Sequence, residues 1–116
     1  MHHEHKSCID ACLECALECQ HCGTACIDEN RPESAKLCLQ CADICYAAAA
    51  AMGGGAQYAQ ALCGICAETC DNCASECEKH AEVEHCRHCA EVCRRCADEC
   101  RAMAGLTARA AASISA

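Results

Sequence analysis

Cysteine supplies thiolate to soft metal ions, to redox partners and to nucleophilic sites, and nineteen of the 116 residues of this chain are cysteine. They fall in four runs: Cys8, Cys12, Cys15, Cys19, Cys22 and Cys26; then Cys38, Cys41 and Cys45; then Cys63, Cys66, Cys70, Cys73 and Cys77; then Cys86, Cys89, Cys93, Cys96 and Cys100. Within each run the steps are three or four residues, giving C-x-x-C seven times and C-x-x-x-C eight times in overlapping register. At about 100° per residue, such steps keep the first six cysteines within roughly 40° of one direction on an α-helix. No catalytic constellation accompanies them, so an enzyme is not expected. A thioredoxin-type reading of C-x-x-C requires a βαβ setting, which a helical zigzag does not provide.

The spacing suggests which ion these thiols would take. Side chains three or four apart on a helix have Cβ atoms about 5–6 Å apart. Two thiolates on one metal, with bonds of about 2.3 Å, span about 4.5 Å when the arrangement is linear. Each step is therefore expected to hold a two-coordinate ion, and Cu(I) is the soft ion that thiolates select. Charge points the same way. One monovalent ion per thiolate leaves a neutral interior, whereas a divalent ion on four thiolates leaves about −2 per site, costly to bury. The sequence thus predicts many Cu(I) ions per chain. A metallothionein-like Zn²⁺ or Cd²⁺ buffer is the main competitor, and an Fe–S electron-transfer protein a more distant one. Packing alone explains one or two buried cysteines, since a protonated thiol behaves as a small hydrophobe; it does not explain four inward stripes.

Composition narrows the setting. There is no Phe or Trp and there are two Tyr, so the usual large contributors to burial are missing. Cysteine at this density in a short chain first suggests a secreted disulfide scaffold. The segment Met1 to Cys8 has no apolar h-region, however, the cysteine count is odd, and every cysteine falls on a predicted helix. A cytoplasmic location with reduced thiols is the expectation. The net charge of −8 argues against nucleic acid. Arg87, Arg94, Arg95 and Arg101 read as a solvated face interleaved with Glu91 and Asp98. No apolar run is read as long enough for a membrane span.

The elements that must position the thiols follow from the breaks in the zigzag. Ser7, with Asp10 three residues on, reads as the N-cap of a helix over about 7–27. Pro32 opens a second helix over about 32–52, stopped by Gly53-Gly54-Gly55. A third spans about 56–80 and a fourth 83–104, with Gly105 as the residue past its end and a tail over 105–116. The predicted fold is all-α: a single domain over 1–116, an antiparallel up-down-up-down four-helix bundle with a cysteine-lined core. That topology gathers Cys8, Cys12, Cys100, Met52 and Met103 at one end. Cys26, Cys38, Cys77 and Cys86 gather at the other, flanked by His80 and His85. Met52 and Met103 are candidate thioether ligands, and His80 and His85 candidate imidazoles for admitting copper. His21 and His88 read as pointing away from the core and outside the site, and His2, His3 and His5 offer further imidazoles near the N-terminus. Ile9, Leu13 and Leu17 form a second apolar stripe on the first helix, for which oligomer contact is the expected cover.

Repeated C-x-x-C and C-x-x-x-C on four helices, over about residues 7 to 104 of a small acidic chain, resemble the cytosolic branch of the bacterial copper storage proteins. The resemblance implies a four-helix bundle that fills its core with Cu(I), and it implies assembly into homotetramers.

Overall fold

The structure, a computed structural model, describes residues 5–55 and 57–105. Its elements are α1 (Lys6–Asp28), α2 (Pro32–Gly53), α3 (Ala59–Glu78) and α4 (Glu84–Ala104). Successive helices pack against one another and α4 returns to α1, closing the square of an antiparallel bundle. No strand occurs among the described residues. The expected fold class is the one observed.

The helix starts differ from expectation. α1 opens at Lys6 with His5 before it and no side-chain cap. Ser7 Oγ instead donates to the Glu99 carboxylate at 2.8 Å, tying α1 to α4, and Asp10 accepts from Lys6 at 2.7 Å. The other three helices also lack side-chain caps, so burial of their thiol faces carries the ordering that capping would otherwise share. Pro32 stands in the first turn of α2 as expected. α3 begins at Ala59 rather than 56, and ends at Glu78 because Lys79 to Val83 form the turn into α4. Gly105 ends α4 with φ 71°, the left-handed conformation that glycine adopts without strain. The rest of the expected tail, from Leu106 on, lies outside the described residues, as do His2, His3 and Ala56.

The turn between α1 and α2 is three residues long. Asn30 adopts φ 60°, and Arg31 N–H returns to the Cys26 carbonyl at 2.8 Å. This tight reversal holds α1 close to α2. At Gly23 an added Cβ would lie 2.9 Å from the Leu39 side chain and 3.3 Å from Cys38 Cβ, so glycine is what the approach permits.

Small residues fill the space around the sulfurs. Ala16, Ala42, Ala48, Ala67, Ala74 and Ala97 are buried with the cysteines, letting the helices draw together. On the outside, α4 is clamped to α3. Arg94 bonds Glu78 at 2.8 Å and Asp71 at 3.1 Å, while Arg101 shares Asp71 and reaches Asp98. Arg95 pairs with Glu14 of α1. The arginine face is therefore an interhelical clasp more than the solvated stripe expected. A second correction concerns α2: an 18-residue stretch of this 22-residue helix reaches a mean hydropathy of 1.2, enough by length and composition for a membrane span, and half of that stretch is buried in the bundle. Its runs of alanine and cysteine produce that value.

Candidate metal centre

Cys8 is 4% exposed and the other eighteen cysteines are fully buried. All are free thiols. They face one another along the bundle axis, as the stripes required.

The separations are shorter and more three-dimensional than the linear pairs inferred from sequence. Within a helix, thiol–thiol hydrogen bonds join four-residue steps: Cys15 to Cys19 at 3.8 Å, Cys66 to Cys70 at 3.9 Å and Cys96 to Cys100 at 4.0 Å. Between helices they are closer still, with Cys12 to Cys100 at 3.5 Å, Cys38 to Cys73 at 3.6 Å and Cys45 to Cys66 at 3.6 Å. With metal–sulfur bonds of about 2.3 Å, ligand sulfurs lie about 3.8 Å apart in a tetrahedral site and about 4.0 Å apart in a trigonal one. The core is thus spaced for three or four sulfurs converging on an ion. Linear two-coordination would need the pairs to spread.

Convergence comes from the register of the four helices. Cys15, Cys45, Cys70 and Cys96, one from each helix, have sulfurs within 4.8 Å of one another. So do Cys12, Cys66, Cys96 and Cys100; Cys15, Cys19, Cys41 and Cys93; and Cys19, Cys73, Cys89 and Cys93. Cys15, Cys19, Cys93 and Cys96 each belong to two of these four groups, which are thereby linked along the axis.

At one mouth of the bundle stands a mixed group: Cys22, Cys26, Cys86 and His85 meet within the same 4.8 Å. His85 Nδ1 stands 3.2 Å from Cys22 Sγ and 3.7 Å from Cys86 Sγ. Its Nε2 lies 2.8 Å from the Glu29 carboxylate. In the neutral imidazole whose Nε2–H donates to Glu29, the Nδ1 lone pair faces the thiols, the arrangement in which a carboxylate orients a metal-binding histidine. Arg31 completes the rim, bonding Glu29 and reaching Cys86 Sγ at 3.7 Å, while its Nε is buried without a partner. Glu29 and Arg31 are not among the residues that the cysteine pattern singles out. The signal available was their place between two cysteine runs.

At this mouth, as along the rest of the core, neighbouring thiols are pushed in opposite directions. Burial foremost pushes the Cys26 and Cys86 thiols up. Cys22 is brought down to about 6: hydrogen bonding from Cys38, then from Cys89 and His85, outweighs the opposing effects of Cys77 and burial. Burial pulls the His85 imidazole down, but Cys22 and Glu29 hold its pKa above the usual value. Burial also works against the Arg31 guanidinium, yet Cys26 and Glu29 keep its pKa raised.

The other sequence candidates separate. His80 follows the end of α3 and turns back to Glu76 at 3.4 Å, which also accepts from Ser34 at 2.8 Å; no thiol contact brings it into the mixed group. Met52 is 2% exposed within the core. Met103 is half-buried and lines a cavity of about 440 Å³ at the opposite end with His5, Ser7, Cys8 and Glu99. His21 and His88 are exposed on the outer face, away from the sulfurs, where they line a surface cavity beside His85.

Comparison with known proteins decides between the ions that this geometry admits. Residues 1–105 match the copper storage protein family. The chain belongs to that family. Among copper storage protein structures, a Cu(I)-bound BsCsp3 is 38% identical, with a TM-score of 0.81 over 85% of this chain and 96% of its own. A cytosolic copper storage protein from Streptomyces lividans carrying five coppers is 33% identical, with a TM-score of 0.83 over 91% of this chain and 96% of its own. The cysteine-rich protein YhjQ of Bacillus subtilis is 38% identical over 86 residues, 71% of this chain and 79% of that protein. Sulfur separations alone suit Zn²⁺ as well as copper; membership of the copper storage family settles the class of cargo as Cu(I).

Proposed function

We propose that this chain stores Cu(I) in the cytosol, with all nineteen cysteines as thiolate ligands and the Cys22–Cys26–Cys86–His85 mouth as the place where ions pass in and out. The observation that carries the reading is the continuous chain of converging sulfur groups within the bundle. A copper ion arriving at the mouth meets an imidazole held by Glu29 and a thiol, Cys22, whose hydrogen bonds to Cys38, Cys89 and His85 hold its pKa below the ordinary thiol value and so favour the thiolate that binds copper. Deeper thiols lose their protons as copper replaces them, so each ion stored exchanges for roughly one proton. Met52 and Met103 are accessory thioether donors at the end opposite the mouth. The role is sequestration, with no reaction catalysed.

Assembly belongs to the same proposal. Leu13 and Leu17 are 41% and 62% exposed on α1, on the side turned from the sulfurs, and a second copy of the chain is the cover proposed for them within a homotetramer.

The distributed character of the store is tested by Cys15→Ser with Cys70→Ser. These two thiols touch across the bundle at 3.9 Å, and between them reach Cys19, Cys93, Cys41, Cys45 and Cys66. Serine keeps the size but offers a hard oxygen. The double variant is expected to stay helical and to lose only a few copper ions, counted by metal analysis; near-total loss would mean one compact cluster in place of a distributed store.

His85→Ala tests the mouth. Total capacity is expected to fall by no more than about one ion, because His85 offers a single ligand atom. Removal of copper by a chelating acceptor is expected to slow severalfold, since the outermost exchangeable ligand is lost. An unchanged rate in stopped-flow measurements would place the passage elsewhere.

A further inference from the structure

We infer that the outer face of the α1–α4 pair carries a second metal site, chemically distinct from the thiol core, built from Glu18, His21 and His88 and suited to a divalent cation of the zinc type. A surface cavity of about 370 Å³ is lined by Glu18, His21, Glu84, His85 and His88. Glu18 and His21 are three apart on α1, as His85 and His88 are on α4, so each pair shares one helix face. Because the helices run antiparallel, the pairs meet as two rungs. His88 Nε2 is 3.6 Å from the Glu18 carboxylate, and the His21 and His85 rings meet edge to face with centroids 6.3 Å apart.

The two rungs divide the chemistry. His85 turns Nδ1 inward to the thiols and Nε2 to Glu29, which removes it from the outer set. Glu18, His21 and His88 remain, two imidazoles and one carboxylate, with Glu84 on the same wall. Imidazole and carboxylate suit Zn²⁺ and its neighbours, whereas Cu(I) prefers the thiolates beneath. Three protein ligands and a water would complete a tetrahedron. His21 and His88 are exposed, so both rings are free to rotate towards a cation beside the Glu18 carboxylate.

The test uses the Cu(I)-saturated protein without oxygen, so that the thiols are already occupied. Equilibrium dialysis against Zn²⁺ is expected to give about one saturable ion per chain. His21→Ala with His88→Ala is expected to weaken that binding at least about tenfold and to leave the copper count unchanged. Co²⁺ added to the saturated wild-type protein is expected to show the weak absorption of nitrogen and oxygen ligands. No saturable Zn²⁺, equal Zn²⁺ on the double variant, or intense thiolate-to-cobalt charge transfer would each overturn the site.

Discussion

Raising the pH of the metal-free protein from about 8 to about 10.5 is expected to unfold it, while the Cu(I)-loaded protein stays helical over the same range. A cysteine in an unfolded chain has a pKa of about 8.5. In the bundle, burial foremost raises Cys26 and Cys86, and Cys70 and Cys89 are raised by hydrogen bonding first to Cys15 and to Cys19 respectively. A folded-state pKa raised in this way gives stability that is complete below the unfolded pKa and is lost as pH climbs past it. One pH unit above, each thiol kept neutral costs about 1.4 kcal/mol. Eleven thiols are raised in all, while eight, Cys41 and Cys96 among them, are lowered by hydrogen bonds from neighbouring thiols and add no loss above the unfolded pKa. About ten raised thiols are enough to offset the whole of a typical stability of about 5–15 kcal/mol. In the loaded protein the thiolates are already proton-free and neutralised by copper, so this dependence disappears. Far-UV circular dichroism under reducing, oxygen-free conditions reads both forms. Metal-free helicity that persisted to about pH 11 would mean that the folded core already holds thiolates.

Full loading is expected to raise the thermal midpoint by tens of degrees. An ion that binds the folded state alone contributes about 4 kcal/mol when free ligand is a thousand times its Kd, and a domain of this size gains roughly 4–8 °C per kcal/mol. The unfolded chain retains its C-x-x-C pairs and binds some copper itself, which subtracts from the effect. It cannot reproduce groups such as Cys15, Cys45, Cys70 and Cys96, drawn from four helices. The metal-free protein at neutral pH remains a bundle with a lower midpoint, because neutral thiols pack as small apolar groups. A shift below about 5 °C on saturation would show copper held as well by the unfolded chain.

What could be read from the sequence followed from periodicity. Stripes at three and four residues determine a helix face whatever their neighbours, so the four helices, their inward sides and the gathering of thiols were legible. Pro32, Gly53 and Gly105 marked boundaries because their backbone chemistry is local. The start of α1 was misread because the cap assigned to Ser7 competes with a partner 92 residues away, Glu99. Sulfur separations were misjudged for the same reason: the closest contacts lie between helices, and register across helices is set by packing. At the mouth, His80 and His85 looked equivalent by count. A turn that ends α3 at Glu78 directs one to Glu76, while the short α1–α2 turn brings Glu29 against the other.

The central claim, that the buried thiols form one continuous store for Cu(I), is tested most directly by oxygen-free titration of the reduced protein with Cu(I) against a competing chelator, counting ions and released protons together. The account predicts uptake well beyond the about four ions that tetrahedral divalent sites would allow, with close to one proton released per ion. Saturation at about four ions, or equal retention of Zn²⁺ or Cd²⁺ in the presence of copper, would contradict it.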